Sequence, residues 1–297
     1  MKSKSPWWFC EPVGAQESKI TFMSDAVLVI TATFAWGGTA YTQLVDTRIR
    51  VEKYMEGLLS WLSDDRFKKI VMVKNCSTAI NVDILKELAE QNGKDFEFLN
   101  ASESRKAAYR GKGYGEGEII RFALANSRLL REATHFYKIT GKLYCPEVGR
   151  YFDDEASNYF FVNPKGAPEF WLRRLGAKLY RFEYPNRILG WLRRFGLPIR
   201  LLRAAAPGMI DTRMFRVEKD FYERHLNRSY RRVQDSCHYF IEHAFFDDLQ
   251  GSSAQLIEKT LPLVGTSGTT DLAAIDYSPE VKQASRNIAR RLLTVSQ

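Results

Sequence analysis

Cysteine, histidine and long apolar runs are scarce in this chain of 297 residues, which has four cysteines and four histidines. Cys10, Cys76, Cys145 and Cys237 lie far apart and form no C-x-x-C pair. This spacing excludes a zinc finger or a disulfide framework and favours buried thiols in a reducing compartment. No run approaches the roughly 18 apolar residues that a spanning helix needs. We therefore expect a cytoplasmic protein without a transmembrane helix.

Basic residues are in excess, with 44 Lys and Arg against 35 Asp and Glu and a formal net charge of +9. The stretch 165–203 contains ten of these cations and only two acids, so it accounts for nearly the whole excess. Apolar and aromatic residues alternate with the cations at helical spacing. Basic amphipathic helices with Trp and Phe lie in the interface of anionic membranes.

We therefore predict peripheral binding at the inner face of the cytoplasmic membrane. Packing against the protein's own core and binding to nucleic acid are the alternatives, in that order, and we expect no nucleic-acid partner. The side chains predicted to face the membrane are Trp171, Arg173, Arg174, Trp191, Arg193 and Arg194.

Apolar runs of strand length alternate with amphipathic stretches through the first half of the chain. The first run, AVLVITAT, is apolar throughout, as expected for a strand that is buried on both faces. Alternating strands and helices predict βαβ units around a mainly parallel sheet, which is an α/β fold of the nucleotide-binding type. The predicted strands are 26–33, 69–74, 96–99 and 135–139, and the predicted helices are 41–62, 81–91 and 115–131.

The alternation stops after Pro146, and a helical pattern returns at 221–249 and again at 281–293. The sequence thus predicts four parts. They are an N-terminal extension (1–23), a nucleotide-sugar-binding half (24–150), an acceptor and catalytic half (151–276) that includes the basic amphipathic segment 165–206, and a C-terminal helix (277–297).

Ligands of open α/β sheets bind at the carboxyl ends of the strands. That rule selects four stretches: 33–38, 75–77, 110–116 and 140–142. The third reads RGKGYGE, and glycines before a helix N-terminus let an anion approach the backbone closely. It lacks the G-K-[ST] ending of a P-loop and the spacing of a dinucleotide fingerprint. A solvated turn is the competing interpretation.

Two acids in the second half are candidate catalytic groups. Glu242 lies within the strongly aromatic stretch 237–249, where a buried carboxylate is either a satisfied core ion or a functional acid with a shifted pKa. We favour function for Glu242, because an unused buried charge is costly, and packing for the neighbouring His243. Asp211 follows the Pro207-Gly208 break within a D-T-R triplet.

The blocks KGYGEGEIIRFALANS (112–127) and HFYKITGKLY (135–144) resemble a signature of bacterial polysaccharide glycosyltransferases with a GT-A-like fold. T-A-T-F at 31–34, D-T-R at 211–213 and Y-F-I-E-H at 239–243 are similar to further motifs, so that the resemblance spans about 24–275. It implies transfer of a hexose or a similar sugar from a nucleotide-sugar such as a UDP-sugar to a glycan or lipid-linked glycan of the O-antigen, lipopolysaccharide or capsule type.

The resemblance also implies roles for individual residues. Glu242 corresponds to the general base, with Asp211 as the competing candidate. The donor-binding residues are Thr33, Phe34 and Asn75 at the nucleoside, Lys112, Gly113 and Glu116 around the donor, and Lys138, Thr140 and Lys142 at the diphosphate.

One departure from the GT-A pattern concerns the metal. The strand end that usually carries an Asp-x-Asp metal motif reads K-I-T-G-K here, and cations at that point can neutralise the leaving group. We therefore expect no permanently bound cofactor and no requirement for a divalent metal. Asp153-Asp154-Glu155 is interpreted as a solvated acidic loop, with a displaced metal site as the alternative. A non-catalytic membrane scaffold that retains a degenerate nucleotide-binding domain is the competing function.

Overall fold

A computed structural model describes residues 26–35, 44–102, 104–152, 157–163, 209–235, 239–266 and 275–293. In its first half, four parallel strands form one side of a sheet in the order β3-β2-β1-β4, with β3 at the edge. The strands are β1 (Val27–Ala32), β2 (Lys69–Lys74), β3 (Asp95–Asn100) and β4 (His135–Thr140). The helices between them are α1 (Thr47–Ser63), α2 (Val82–Gln91), α3 (Arg105–Arg110), α4 (Lys112–Asn126) and α5 (Arg128–Glu132).

The second half of the chain returns to the same sheet. Strand β8 pairs antiparallel with β4, β6 pairs antiparallel with β8, and β9 runs parallel to β6. The strands of this half are β5 (Leu143–Tyr144), β6 (Tyr159–Asn163), β7 (Met209–Ile210), β8 (Met214–Glu218), β9 (Gln255–Ile257) and β10 (Val264–Gly265). Its helices are α6 (Val148–Tyr151), α7 (Lys219–His225), a 3-10 turn (Ser229–Arg232), α8 (Ile241–Leu249) and α9 (Pro279–Leu293).

Successive side chains of β1 pack into two different hydrophobic cores, because side chains alternate between the two faces of a strand. Leu28 and Ile30 pack with α1 and α9 on one face of the sheet, and Val27 and Val29 pack with α4 and α8 on the other. All six residues of β1 are buried. The mainly parallel sheet flanked by helices confirms the predicted α/β class.

The structure corrects two predicted helices. The helix predicted at 115–131 begins earlier, at Lys112, and is interrupted at Ser127, whose hydroxyl caps α5 by accepting the Leu130 N–H at 3.1 Å. A Ser side chain satisfies free N–H groups at a helix start, which favours a new helix at that point. The stretch 221–249 is not one helix, since α7, the 3-10 turn and α8 divide it.

Candidate active site at the carboxyl edge of the sheet

The ends of β1 and β2 meet as the strand-end rule predicts. The Thr33 hydroxyl donates to Asn75 Oδ1 at 2.8 Å. α4 lies against this pair, since a Cβ added at Gly115 would come within 3.2 Å of Asn75 Nδ2. The structure therefore brings together three of the stretches that the sequence selects.

Arg50 of α1 holds the backbone beside this pair, and sequence reasoning missed it. Its Nε donates to the Thr33 carbonyl at 2.9 Å and its Nη1 to the Leu44 carbonyl at 2.8 Å. The residue is only 5% exposed. A usable signal existed, because Arg50 lies four residues before Tyr54 on the otherwise apolar face of the helix.

Phe34 and Lys142 lie in the core instead of lining an open pocket. Phe34 is fully buried and packs edge-on against Tyr54, with 5.3 Å between the ring centroids. Lys142 is 3% exposed, and its ammonium lies 5.9 Å from the centre of the same tyrosine ring. Neither side chain presents a surface to a donor in this conformation, because α1 covers both.

Lys138 is a completely buried cation at the centre of the site. It forms a salt bridge with Glu116 of α4 and donates to Thr140 Oγ1 at 3.2 Å and to the Thr212 carbonyl at 2.6 Å. A buried charge is tolerated only where partners satisfy it. Lys138 therefore joins β4, α4 and the turn before β8.

Glu242 occupies the first turn of α8 and stays partly exposed. One carboxylate oxygen accepts the Thr212 hydroxyl at 3.1 Å. Burial raises the pKa of this carboxyl group; its own backbone N–H opposes the shift, and the negative charge of Glu116 reinforces it. The ammonium of Lys112 and the Thr212 hydroxyl lower the pKa by smaller amounts.

Asp211 is engaged by a cation. Arg213 donates to its two oxygens, from Nε at 2.8 Å and from Nη2 at 2.6 Å. Arg213 is 40% exposed and its pKa is raised, first by the hydrogen bond to Asp211 and also by the nearby charge of Glu242. Arg213 thus faces the same region as Glu242, a role that the D-T-R pattern alone did not indicate.

Gly113, within the 110–116 stretch, and Gly117, directly after it, have a packing role that the loop interpretation did not predict. Because α4 begins at Lys112, Gly113 and Gly117 lie inside the helix. A Cβ at Gly113 would lie 2.9 Å from Ile241 Cβ of α8, and one at Gly117 would lie 2.1 Å from Tyr230 Cβ. These contacts let α4 approach α8 closely and leave the Lys112 side chain exposed near Glu242.

No cluster of three or more acids, histidines and cysteines within the described ranges has the arrangement of a metal site. Two of the acids present, Glu116 and Asp211, are already paired with Lys138 and Arg213. The alternative metal stretch Asp153-Asp154-Glu155 lies outside the described residues. The expectation that transfer requires no divalent metal therefore stays a prediction.

The six side chains predicted to face a membrane, Trp171, Arg173, Arg174, Trp191, Arg193 and Arg194, also lie outside the described residues. In the described part of the chain, no helix combines the length and the hydropathy needed to cross a bilayer. A polar surface cleft of about 560 Å³ is lined by residues of α7, the 3-10 turn and α8. It shares no residue with the cluster around Glu242.

Comparisons with known proteins find several solved structures with low similarity to this chain. No protein-family model matches it, and no curated protein does. The galactosyltransferase LgtC with donor and acceptor sugar analogs is 8% identical, with 91% of this chain and 98% of that chain covered and a TM-score of 0.46.

Core-mannan synthase A from Aspergillus fumigatus, in its Mn/GDP form, is 11% identical over 93% of this chain and 86% of that chain, with a TM-score of 0.41. The 4-diphosphocytidyl-2C-methyl-D-erythritol synthase from Anaerococcus prevotii is 8% identical over 90% and 97%, with a TM-score of 0.39. All three TM-scores lie below 0.5, so these likenesses establish no activity for this chain.

Proposed function

We propose that this chain is a glycosyltransferase that moves a sugar from a nucleotide-sugar, such as a UDP-sugar, to a glycan or lipid-linked glycan acceptor. One observation carries the proposal: Glu242 is a partly exposed carboxylate at the carboxyl edge of the sheet, with a raised pKa and two cations nearby. A base and a cationic site for a leaving diphosphate are what this reaction needs.

Glu242 is the better candidate for the general base. A base must offer a free lone pair, and its pKa should be shifted toward the working pH. Glu242 meets both conditions, because its pKa is raised and the Thr212 hydroxyl occupies only one of its two carboxylate oxygens. Asp211 has both oxygens occupied by Arg213, so we assign it to positioning that arginine.

The leaving diphosphate is expected to contact Lys112 and Arg213, the two cations that are accessible near Glu242. Lys138 does not contact the diphosphate in this proposal. It supports the site by holding Glu116 and the turn at Thr212 in place. Thr33 and Asn75 remain the candidates for the nucleoside end, since they face α4 at the same edge. Cations in these places support metal-independent transfer.

The acceptor side of the proposal rests on the sequence. The motif blocks at 112–127 and 135–144 are similar to enzymes of bacterial surface polysaccharide synthesis, and the basic segment 165–203 suits an anionic membrane surface. We therefore propose peripheral work at the cytoplasmic face on a glycan of the O-antigen or capsule type. The alternative remains a membrane-associated scaffold that binds a nucleotide without catalysis.

A thermal-shift screen against nucleotides and nucleotide-sugars tests the proposal, because a ligand that binds only the native state raises its stability. We expect at least one nucleotide-sugar to raise Tm, and the same compound to be consumed when a lipid-linked acceptor is added. Binding without consumption across a panel of acceptors and without donor hydrolysis would support the scaffold. No shift with any nucleotide would contradict both.

A further inference from the structure

Asp235 is a buried carboxylate that holds the start of α4 from a distant part of the chain. Its Oδ2 accepts the backbone N–H of Lys112 at 2.9 Å. The helix has no capping side chain of its own, because its N-cap residue is Gly111. Asp235 is 5% exposed and thus supplies the cap that the local sequence lacks.

Gly111 leaves room for this carboxylate. A Cβ at Gly111 would lie 2.0 Å from Asp235 Cγ and 2.1 Å from its Oδ2, which is closer than any real contact. The residue also has a φ of 121°, a conformation that other residues rarely adopt. The backbone at 111 and the carboxylate at 235 are therefore fitted to each other.

This arrangement costs stability. Among the described residues, Asp235 Oδ1 has no hydrogen-bond partner although it is buried. Among the described residues, the charge of Lys112 in α4 acts on the carboxylate. Arg110 of α3 holds the chain two residues before it, since its Nε donates to the Val233 carbonyl at 3.0 Å. Burial raises the pKa of Asp235 to about 6, against the backbone hydrogen bond and the charge of Lys112. Costly polar groups of this kind concentrate at functional sites.

We infer that Asp235 is a positioning residue for catalysis: by fixing the first residue of α4, it holds the Lys112 ammonium beside Glu242 and the leaving diphosphate. The inference rests on the proposed function. Lys112 is the link, because its backbone is bound to Asp235 and its side chain acts on the Glu242 carboxyl group. Protonation of Asp235 weakens the cap, so donor binding is expected to weaken below about pH 6.

The test compares Asp235→Asn with a matched control, Glu97→Gln. Glu97 also caps a helix from a distance, since its carboxylate accepts the Arg128 N–H at 3.1 Å and the Ser127 hydroxyl, but it lies away from Glu242. We expect Asp235→Asn to raise KM for the donor about tenfold, the scale of one charge-assisted hydrogen bond, with kcat less affected. The rise in KM for the donor that we expect of the wild type below about pH 6 should be absent from Asp235→Asn. Glu97→Gln should keep the wild-type dependence of this KM on pH.

A second measurement needs neither activity nor a variant. The protection of the Lys112 and Gly113 amides against hydrogen exchange, after correction for the intrinsic rate, should fall in the wild-type protein between pH 7 and pH 5. Unchanged protection, or a pH profile of Asp235→Asn that superimposes on that of Glu97→Gln, would overturn the inference. Falling protection in a protein that transfers no sugar would instead contradict the proposed function alone.

Discussion

Asp235 and Glu242 are two acids in which burial raises the pKa of a carboxyl group, and they differ in what else touches them. Glu242 keeps part of its surface in solvent and bonds one hydroxyl. Asp235 is enclosed and bonds one backbone N–H. Glu242, which is partly exposed, can contact an acceptor hydroxyl. Asp235, which is enclosed, can act only through α4, the helix that it caps.

The raised pKa of Asp235 predicts a pH-dependent stability. The folded state binds this proton more tightly than the unfolded state, so the contribution of Asp235 to the free energy of unfolding falls as the pH rises from 3.8, the ordinary pKa of an aspartate, to about 6. The shift of the pKa from 3.8 to about 6 corresponds to a loss of about 3 kcal/mol in the free energy of unfolding over this pH range. Urea unfolding of wild type and Asp235→Asn should be measured from pH 4 to 7. The free energy of unfolding of the wild type, taken relative to that of Asp235→Asn, should fall by this order as the pH rises and level off above pH 6. A constant difference would contradict the assignment.

Gly117 predicts a packing cost. A Cβ there would lie 2.1 Å from Tyr230 Cβ, so Gly117→Ala forces α4 and the 3-10 turn apart and should lower the free energy of unfolding by about 1–3 kcal/mol. Gly149→Ala in α6 is the control, because nothing lies within 4 Å of the added atom. Chemical denaturation of both variants checks this. Equal stability for the two would exclude the close approach of α4.

At the scale of elements, the first four strands follow from sequence because each is a short apolar run. The start of α4 does not, since Gly111 and Gly113 resemble a loop by propensity alone. Tertiary packing against Ile241 and Tyr230 overrides that propensity. The sequence also could not predict that β6 and β8 join the sheet, because β8 pairs with β4, which lies much earlier in the chain.

The residues of the candidate site also divide into those that the sequence could predict and those that depend on contacts between distant parts of the chain. Thr33 and Asn75 were predictable together, since they end neighbouring parallel strands. Asp235 was not, because its partner Lys112 lies 123 positions earlier and no motif contains it. Lys138 lies near the end of β4, and its salt bridge with Glu116 depends on where α4 begins.

The basic segment 165–203 predicts membrane binding at the element scale. Replacing Trp171 and Trp191 with Ala, or Arg173 and Arg174 with Ala, should reduce sedimentation with vesicles containing anionic lipid, and salt should weaken binding of the wild type. Arg286→Ala with Arg290→Ala removes the same charge from α9, a basic helix elsewhere in the chain, and is the control. Equal loss in the control, or preferential retention on DNA, would contradict the prediction.

At the scale of the whole molecule, accessible cations and engaged acids support transfer without a divalent metal. We expect transfer to persist at nearly full rate after exhaustive dialysis against EDTA, because Lys112 and Arg213 neutralise the leaving diphosphate. Arg213→Ala should then reduce transfer strongly, since one such cation stabilises charge that develops in the transition state. Activity that EDTA abolishes and Mn²⁺ restores would contradict this account.

The central claim is that Glu242 at the carboxyl edge of the sheet deprotonates the acceptor of a nucleotide-sugar transfer. Its most direct test measures donor binding and sugar transfer in Glu242→Gln, with Glu97→Gln as the matched control. We predict an unchanged Kd for the nucleotide-sugar and a loss of transfer of about 10²-fold or more, the scale of a positioned general base. Transfer at the wild-type rate by folded Glu242→Gln would contradict the claim.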